Sequence, residues 1–177
     1  MAEIVEHPRQ ARGAITGPTR LTPIHDLSQF DCGKPPLNDW IRNHALTSEG
    51  QFARTYVVCS GNAVIGYYCL AMGSVERKQL PSKLKRQQGL PNQAPVAIIG
   101  RLARDKSPEW KGLGKDLLRD ALIRIVSVSE NIGVRCVLVH ALDDEAAKFW
   151  KDLEFHEYPD GSRTFFMPIE TVIDSIL

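Results

Sequence analysis

From Val96 onward the chain sets down an apolar run to Arg104 and then the turn Trp110-Lys111-Gly112-Leu113-Gly114-Lys115. The stripe Leu117, Leu118, Ala121, Leu122, Ile125 and Val126 follows and stops at Asn131 and Gly133. The first run is rich in Val and Ile and too short for a helix, so it predicts a buried strand; the stripe has the 3.6-residue period of an amphipathic helix. A second apolar run, Val134 to Ala141, returns at once, and Asp143 with Asp144 offers a cap and first-turn charge for a helix through Leu153. Strand, helix, strand, helix in this order requires a parallel strand pair with a crossover helix, which places the chain in the α/β class.

The turn has a chemistry of its own. Glycines let successive N–H groups converge, and a helix N-terminus adds partial positive charge, so a pyrophosphate can be held largely by main chain, with Lys111 and Lys115 reinforcing the field. A helix-initiating turn without a ligand is the plain alternative. Two better-known phosphate loops fail on residues: a Walker loop needs Ser or Thr where Asp116 stands, and a dinucleotide fingerprint needs a third glycine where Leu117 stands.

The rest of the chain supplies an antiparallel flank. Residues 1–19, rich in Pro, Gly and charge, read as an irregular arm, and 20–177 as one domain. Helical spacing of Leu37, Trp40, Ile41 and Ala45 after Pro35-Pro36 predicts a first helix. Arg54–Cys59 and Ala63–Met72 predict a hairpin about Ser60-Gly61-Asn62, and Phe155–Tyr158 with Arg163–Ile169 a second about Pro159-Asp160-Gly161. Between them the pattern breaks at Pro81, Gly89, Pro91 and Pro95, where Arg77, Lys78, Lys83, Lys85 and Arg86 face only Glu76 in sequence. With a net charge of +1, any contact with a polyanion has to rest on such a local cluster.

Four cysteines without a C-x-x-C pair suit a reducing compartment, and neither a signal-type apolar stretch nor a run of about 18 apolar residues is seen, so a cytoplasmic protein is expected. No His, Cys, Asp or Glu spacing resembles a metal site, and none is predicted. His140, ending a buried strand without a carboxylate at relay spacing, reads as a structural group.

Over residues 20–169 the order of elements resembles the GNAT acetyltransferases, whose pyrophosphate motif is (Gln or Arg)-x-x-G-x-(Gly or Ala). The likeness narrows at Phe30-Asp31-Cys32-Gly33, Leu37-Asn38-Asp39-Trp40, Ala53 to Cys59, Gly66-Tyr67-Tyr68, Gly100-Arg101-Leu102-Ala103, Ile132 to Arg135 and Val139-His140-Ala141. There it is similar to the GNAT toxins of toxin–antitoxin pairs. That resemblance implies a mixed central sheet with a splayed parallel pair and flanking helices. It also implies acetyl transfer from acetyl-CoA to the α-amine of aminoacyl-tRNA, and neutralisation by a ribbon-helix-helix antitoxin. A homodimer is expected. Acetyl-CoA is implied to lie along Leu102, Ala103 and Arg104, with pyrophosphate on Glu109, Trp110, Lys111, Gly112, Leu113, Gly114 and Lys115, Phe149 beside it, and tRNA on the basic segment 77–86.

Three residues depart from the resemblance. The family's general acid is a tyrosine in a Phe-Tyr pair, and the matching pair is Phe149-Trp150; indole does not ionise usefully, so an acid worth roughly 10²- to 10⁴-fold is absent unless Tyr158, Tyr67, Tyr68 or a water replaces it. Glu109 stands at the Gln or Arg position, and Glu154 at a glycine usual before Phe155. Two other readings therefore stand beside the toxin: a GNAT enzyme acting on a small amine or a protein N-terminus, and a catalytically attenuated scaffold that binds an antitoxin.

Overall fold

The computed structural model describes residues 13–176. Its sheet has seven strands in the order β1-β2-β3-β4-β5-β7-β6. They are β1 (Ile15–Arg20), β2 (Arg54–Ser60), β3 (Ala63–Glu76), β4 (Gln93–Arg104), β5 (Cys136–His140), β6 (His156–Glu157) and β7 (Thr164–Pro168). Six helices flank it: α1 (Pro35–Asn43), α2 (Ala45–Ser48), α3 (Ser82–Lys85), α4 (Leu113–Ser129), α5 (Asp144–Asp152) and α6 (Ile169–Ile176). Among the described strands the one parallel pair is β4 with β5, joined by α4 as the strand pattern requires.

Side chains alternate across the sheet, so its two faces carry different helices. On one face Val137 and Val139 of β5 share a core with Leu117, Leu118, Ala121, Leu122 and Ile125 of α4, Ala147 and Trp150 of α5, and Val172 of α6. On the other, Val57, Tyr67, Cys69 and Ala103 pack beneath Trp40 and Ile41 of α1. Cys136, Leu138 and Phe166 pack on that second face beneath Leu80 and Leu84.

Three expectations change. Ile15–Arg20 is not part of an irregular arm but an edge strand, pairing from Ile15↔Ser60 to Arg20↔Tyr56, while residues 1–12 lie outside the described residues. The sequence hides it because almost every side chain is exposed, so no apolar alternation exists to be read; main-chain pairing to β2 holds it. Strands β3 and β4 also run on into the segment expected to be a loop, to Glu76↔Gln93, Pro95 being tolerated because the parallel pairing with β5 starts one residue later, at Val96↔Cys136. Finally, the basic segment is not open coil: a 3₁₀ turn at Arg77–Gln79 and α3 plug Leu80 and Leu84 into the second-face core.

The feature that makes a site is the separation of β4 from β5. They pair only from Val96↔Cys136 to Ile99↔Val139. Beyond that β4 runs on to Arg104, still bonded to β3 on its other side. The register with β3 slips between Cys69 and Leu70, leaving Gly100 as the extra residue of a bulge at the point where the strands part. One edge of β4, from Gly100 to Arg104, is thereby freed of any strand partner.

Candidate active site

A cavity of about 650 Å³ occupies this V-shaped gap, bounded by residues 99–104 of β4, by His140 at the end of β5 with Ala141 and Leu142 after it, by Phe149 and Trp150 of α5, and by Gly114 of α4. Cys32 and Lys34, just before α1, and Leu37 in its first turn close it on the other face. Of the residues expected to hold a coenzyme, Leu102, Ala103, Arg104, Phe149 and Gly114 are thus brought together in one wall.

The remaining expected positions form the turn that leads into Gly114. Gly112 is the N-cap of α4 with φ 94° and no side-chain cap bond, a left-handed backbone that an L side chain resists. Lys115 N–H donates to Gly112 O at 3.0 Å, and the N–H groups of Leu113 and Gly114 are left to solvent or ligand. A Cβ on Gly114 would meet Phe149 Cε2 at 3.6 Å, ordinary contact, which is why Gly or Ala serves equally there. Two residues of the turn look inward: Trp110 and Leu113 pack against the α4-face core, and Leu113 lies so close to Gly66 that a Cβ there would come to 2.9 Å from it. Glu109 accepts from Ser107 Oγ at 3.3 Å within its own turn. Lys111 and Lys115 are exposed, and Glu109 and Asp116 stand beside them in the chain, so the turn carries no net charge and its attraction for an anion would rest on main-chain dipole.

The matched position of the family's acid is buried. Trp150 is 6% exposed and held edge-on between Phe149 and Phe155, with ring centroids 5.1 Å from each. None of the tyrosines weighed as substitutes lines the cavity. The Tyr67 hydroxyl donates to Leu37 O at 2.8 Å, and burial pushes its pKa far up. Tyr68 bonds Asp120 and receives Arg124 Nε at 2.8 Å, behind α4; burial, then the Asp120 carboxylate, raise it strongly. Tyr158 lies on the second face beside Phe166, its buried hydroxyl without a hydrogen-bond partner among the described residues and its pKa pushed up to about 12 by burial. A substitute role for Tyr158 therefore fails on position.

On the α1 side the cavity is lined by Arg101 and Lys34, which the sequence reading did not assign to one site. Arg101 lies over the Trp40 ring, 4.4 Å from its centroid, and Trp40 stacks on Tyr67; Arg101 forms no ion pair among the described residues. Lys34 reaches across the mouth to Asp143 at 2.7 Å and Glu145 at 3.5 Å. Burial works against its charge, but the two carboxylates outweigh that and raise its pKa. Asp143 also caps α5 by accepting from Ala146 N at 2.9 Å, so one carboxylate joins the starts of α1 and α5. Its pKa is lowered, first by Lys34. No spacing rule links residues 34, 101 and 143, which explains why the cluster is invisible in sequence.

The basic segment sits elsewhere, at the Gln93 end of β4, six residues and roughly 20 Å along the strand from Ile99. Arg77 is a staple within it: Nε and Nη2 donate to Lys85 O at 3.2 and 3.0 Å, and Nη1 to Leu90 O at 3.2 Å. Lys85 donates to Lys78 O at 3.0 Å, and Lys78 pairs with Glu76 at 2.7 Å. Lys83 and Arg86 are exposed and form no ion pair among the described residues. Of the five expected cations, Arg77, Lys78 and Lys85 thus bond within the segment, and Lys83 and Arg86 do not.

No protein-family model matches the chain. It is 39% identical over 145 residues to a "tRNA-acetylating toxin" of Mycobacterium tuberculosis, covering 81% of this chain and 86% of that one. Among solved structures it is similar to AtaT complexed with acetyl-methionyl-tRNAfMet, with TM-score 0.81 and 29% identity over 93% of this chain and 99% of that one. It is also similar to a tyrosine-to-phenylalanine mutant of the AtaT toxin bound to acetyl-CoA and the C-terminus of the antitoxin AtaR. There the TM-score is 0.74 and the identity 28%, over 90% and 94% of the two chains.

Proposed function

The chain belongs to the GNAT-type tRNA-acetylating toxins, and from that premise we propose that it transfers acetyl from acetyl-CoA to the α-amine of an aminoacyl-tRNA and so removes that tRNA from translation. The observation that carries the reading is the gap between β4 and β5, with a free strand edge on one side and the glycine-capped start of α4 at its end. A strand edge presents unpaired amide groups to a pantetheine arm, and the α4 N-terminus presents N–H groups and dipole to a diphosphate. Coenzyme laid along 102–104 from Gly112 and Gly114 places its thioester near Gly100, where the strands part.

Chemistry at that point needs a neutral amine, a polarised carbonyl and a proton for the departing thiolate. An α-amine titrates near 7.7–8.0, so a useful fraction is neutral at physiological pH and positioning supplies much of the rate. The amine approaches from the α1 face, because α4 and α5 cover the other; Arg101 on Trp40 is the cation placed to meet the acceptor end, with Lys83 and Arg86 set for phosphates farther along. Incubating the purified chain with radiolabelled acetyl-CoA and charged tRNA tests this directly: labelled N-acetyl-aminoacyl-tRNA is expected, and its absence from a chain that binds coenzyme A overturns the reading.

Trp150 favours a second reading, an attenuated enzyme acting mainly as an antitoxin-binding scaffold. Turnover far below that of a relative carrying tyrosine there, with antitoxin binding intact, is its signature. A ribbon-helix-helix antitoxin, a homodimer and a cytoplasmic setting complete the proposal; the mutant AtaT structure with the AtaR C-terminus supports the first in kind, and no described helix is long and apolar enough to cross a membrane.

A further inference from the structure

Trp150 leaves the cavity without a tyrosine, yet the cavity holds an imidazole. His140 is the residue after the last β4–β5 pair, Ile99↔Val139, and so stands at the apex of the V, opposite the bulge at Gly100. Strand alternation puts it on the face of Cys136 and Leu138, away from α4, α5 and Trp150. That is the face from which the amine arrives. Its ring is held: Nδ1 lies 2.9 Å from the Thr164 hydroxyl of β7, which in turn accepts from Ser162 Oγ at 2.8 Å. Thr164 is itself buried. Nε2 has no partner among the described residues. The charged groups lining the same cavity are Lys34, Arg101, Arg104 and Lys106 against Glu145, with Asp143 bonded to Lys34 and Asp31 to Lys106.

We propose that His140 is a catalytic base that relays the proton of the attacking amine to the departing sulfur, resting on the acetyl-transfer reading above. In the tautomer whose Nδ1–H donates to Thr164 Oγ1, Nε2 offers its lone pair to the cavity. The amine nitrogen adds to the thioester carbonyl carbon, forming the C–N bond while the carbonyl pair moves to oxygen. The nitrogen, now cationic, gives its proton to Nε2. The oxygen pair reforms the carbonyl, the C–S bond breaks with its electrons on sulfur, and the imidazolium returns the proton to that thiolate. Coenzyme A thiol and an N-acetyl amine leave, and His140 is neutral again. One side chain thereby serves both the amine and the sulfur that the family's tyrosine would protonate.

The test compares the intact chain with His140→Gln and with Thr164→Val, which keeps the imidazole but removes its anchor, following acetylation of charged tRNA from pH 5.5 to 9. His140→Gln is expected to lower kcat about 100-fold with KM for acetyl-CoA within twofold, and to abolish the acidic limb of the pH profile. Thr164→Val is expected to lower kcat about tenfold and move that limb. Coenzyme A binding by calorimetry verifies each fold; if His140→Gln does not bind, Thr164→Val decides. A verified variant within threefold of the parent, with the same acidic limb, overturns the assignment of His140 alone. A parent chain that binds coenzyme A but acetylates no charged tRNA overturns the functional reading, and the His140 proposal with it.

Discussion

The two faces of the sheet meet at one cavity but build their share of it differently. Toward α4 and α5 the wall is mostly main chain: the free edge of β4, the amides after Gly112, and aromatic packing by Phe149 and Trp150. Toward α1 it is side chain: Arg101 over Trp40, Lys34 bonded to Asp143, and His140 held by Thr164. A backbone site depends on which positions can do without a Cβ and is nearly indifferent to charge. A side-chain site depends on each functional group and on the contacts that aim it.

The strongest way to break this contrast is Gly112→Val. With φ at 94°, a β-branched residue must rotate the turn, and coenzyme A affinity by calorimetry should fall about 100-fold, on the order of 2–3 kcal/mol, while the acceptor face is untouched. Retained affinity would mean that side chains, not amides, hold the diphosphate. Next in size is Trp150→Tyr, which adds a hydroxyl to the aromatic wall; a rise in kcat of about tenfold is expected, and no rise would show that nothing is missing from that wall. On the opposite face Arg101→Gln removes the cation stacked on Trp40 and should lower kcat/KM for charged tRNA roughly eightfold, with coenzyme A binding unchanged.

Smaller effects probe residues outside both walls. Glu154 has φ 66° and follows Leu153, the C-cap of α5, so Glu154→Gly should relieve strain and raise stability by about 1 kcal/mol, seen as a higher midpoint in urea. Lys83→Glu or Arg86→Glu should raise KM for tRNA about threefold at physiological salt, with a shallower salt dependence and no change with a small amine acceptor. Arg77→Gln serves as the contrast: it should destabilise the chain, because its guanidinium bonds two carbonyls of its own segment.

Glu154 shows how much local chemistry reaches the sequence. A glycine is usual there because the residue just past Leu153, the C-cap of α5, turns left-handed, and the chain keeps that backbone with a carboxylate side chain in place. Local requirements of this kind were legible: the hairpin at Ser60-Gly61-Asn62, the cap at Asp143, the stripe of α4, the turn at Gly112. Edge strand β1 was not, since its exposed side chains leave no pattern. Neither was the fate of the basic segment, where five cations in a row of loop signals gave no hint that Arg77 bonds backwards into it.

By itself the sequence determined the βα order, hence the parallel pair, and the glycine turn that starts α4, because period and backbone freedom are properties of neighbouring residues. Only the tertiary structure decided how far β4 and β5 stay paired, and therefore which side chains meet in the gap. Lys34, Arg101 and His140 are brought there by three separate segments, with Asp143 bonded to Lys34. Contacts between residues distant along the chain are set by packing and register, which no local spacing encodes.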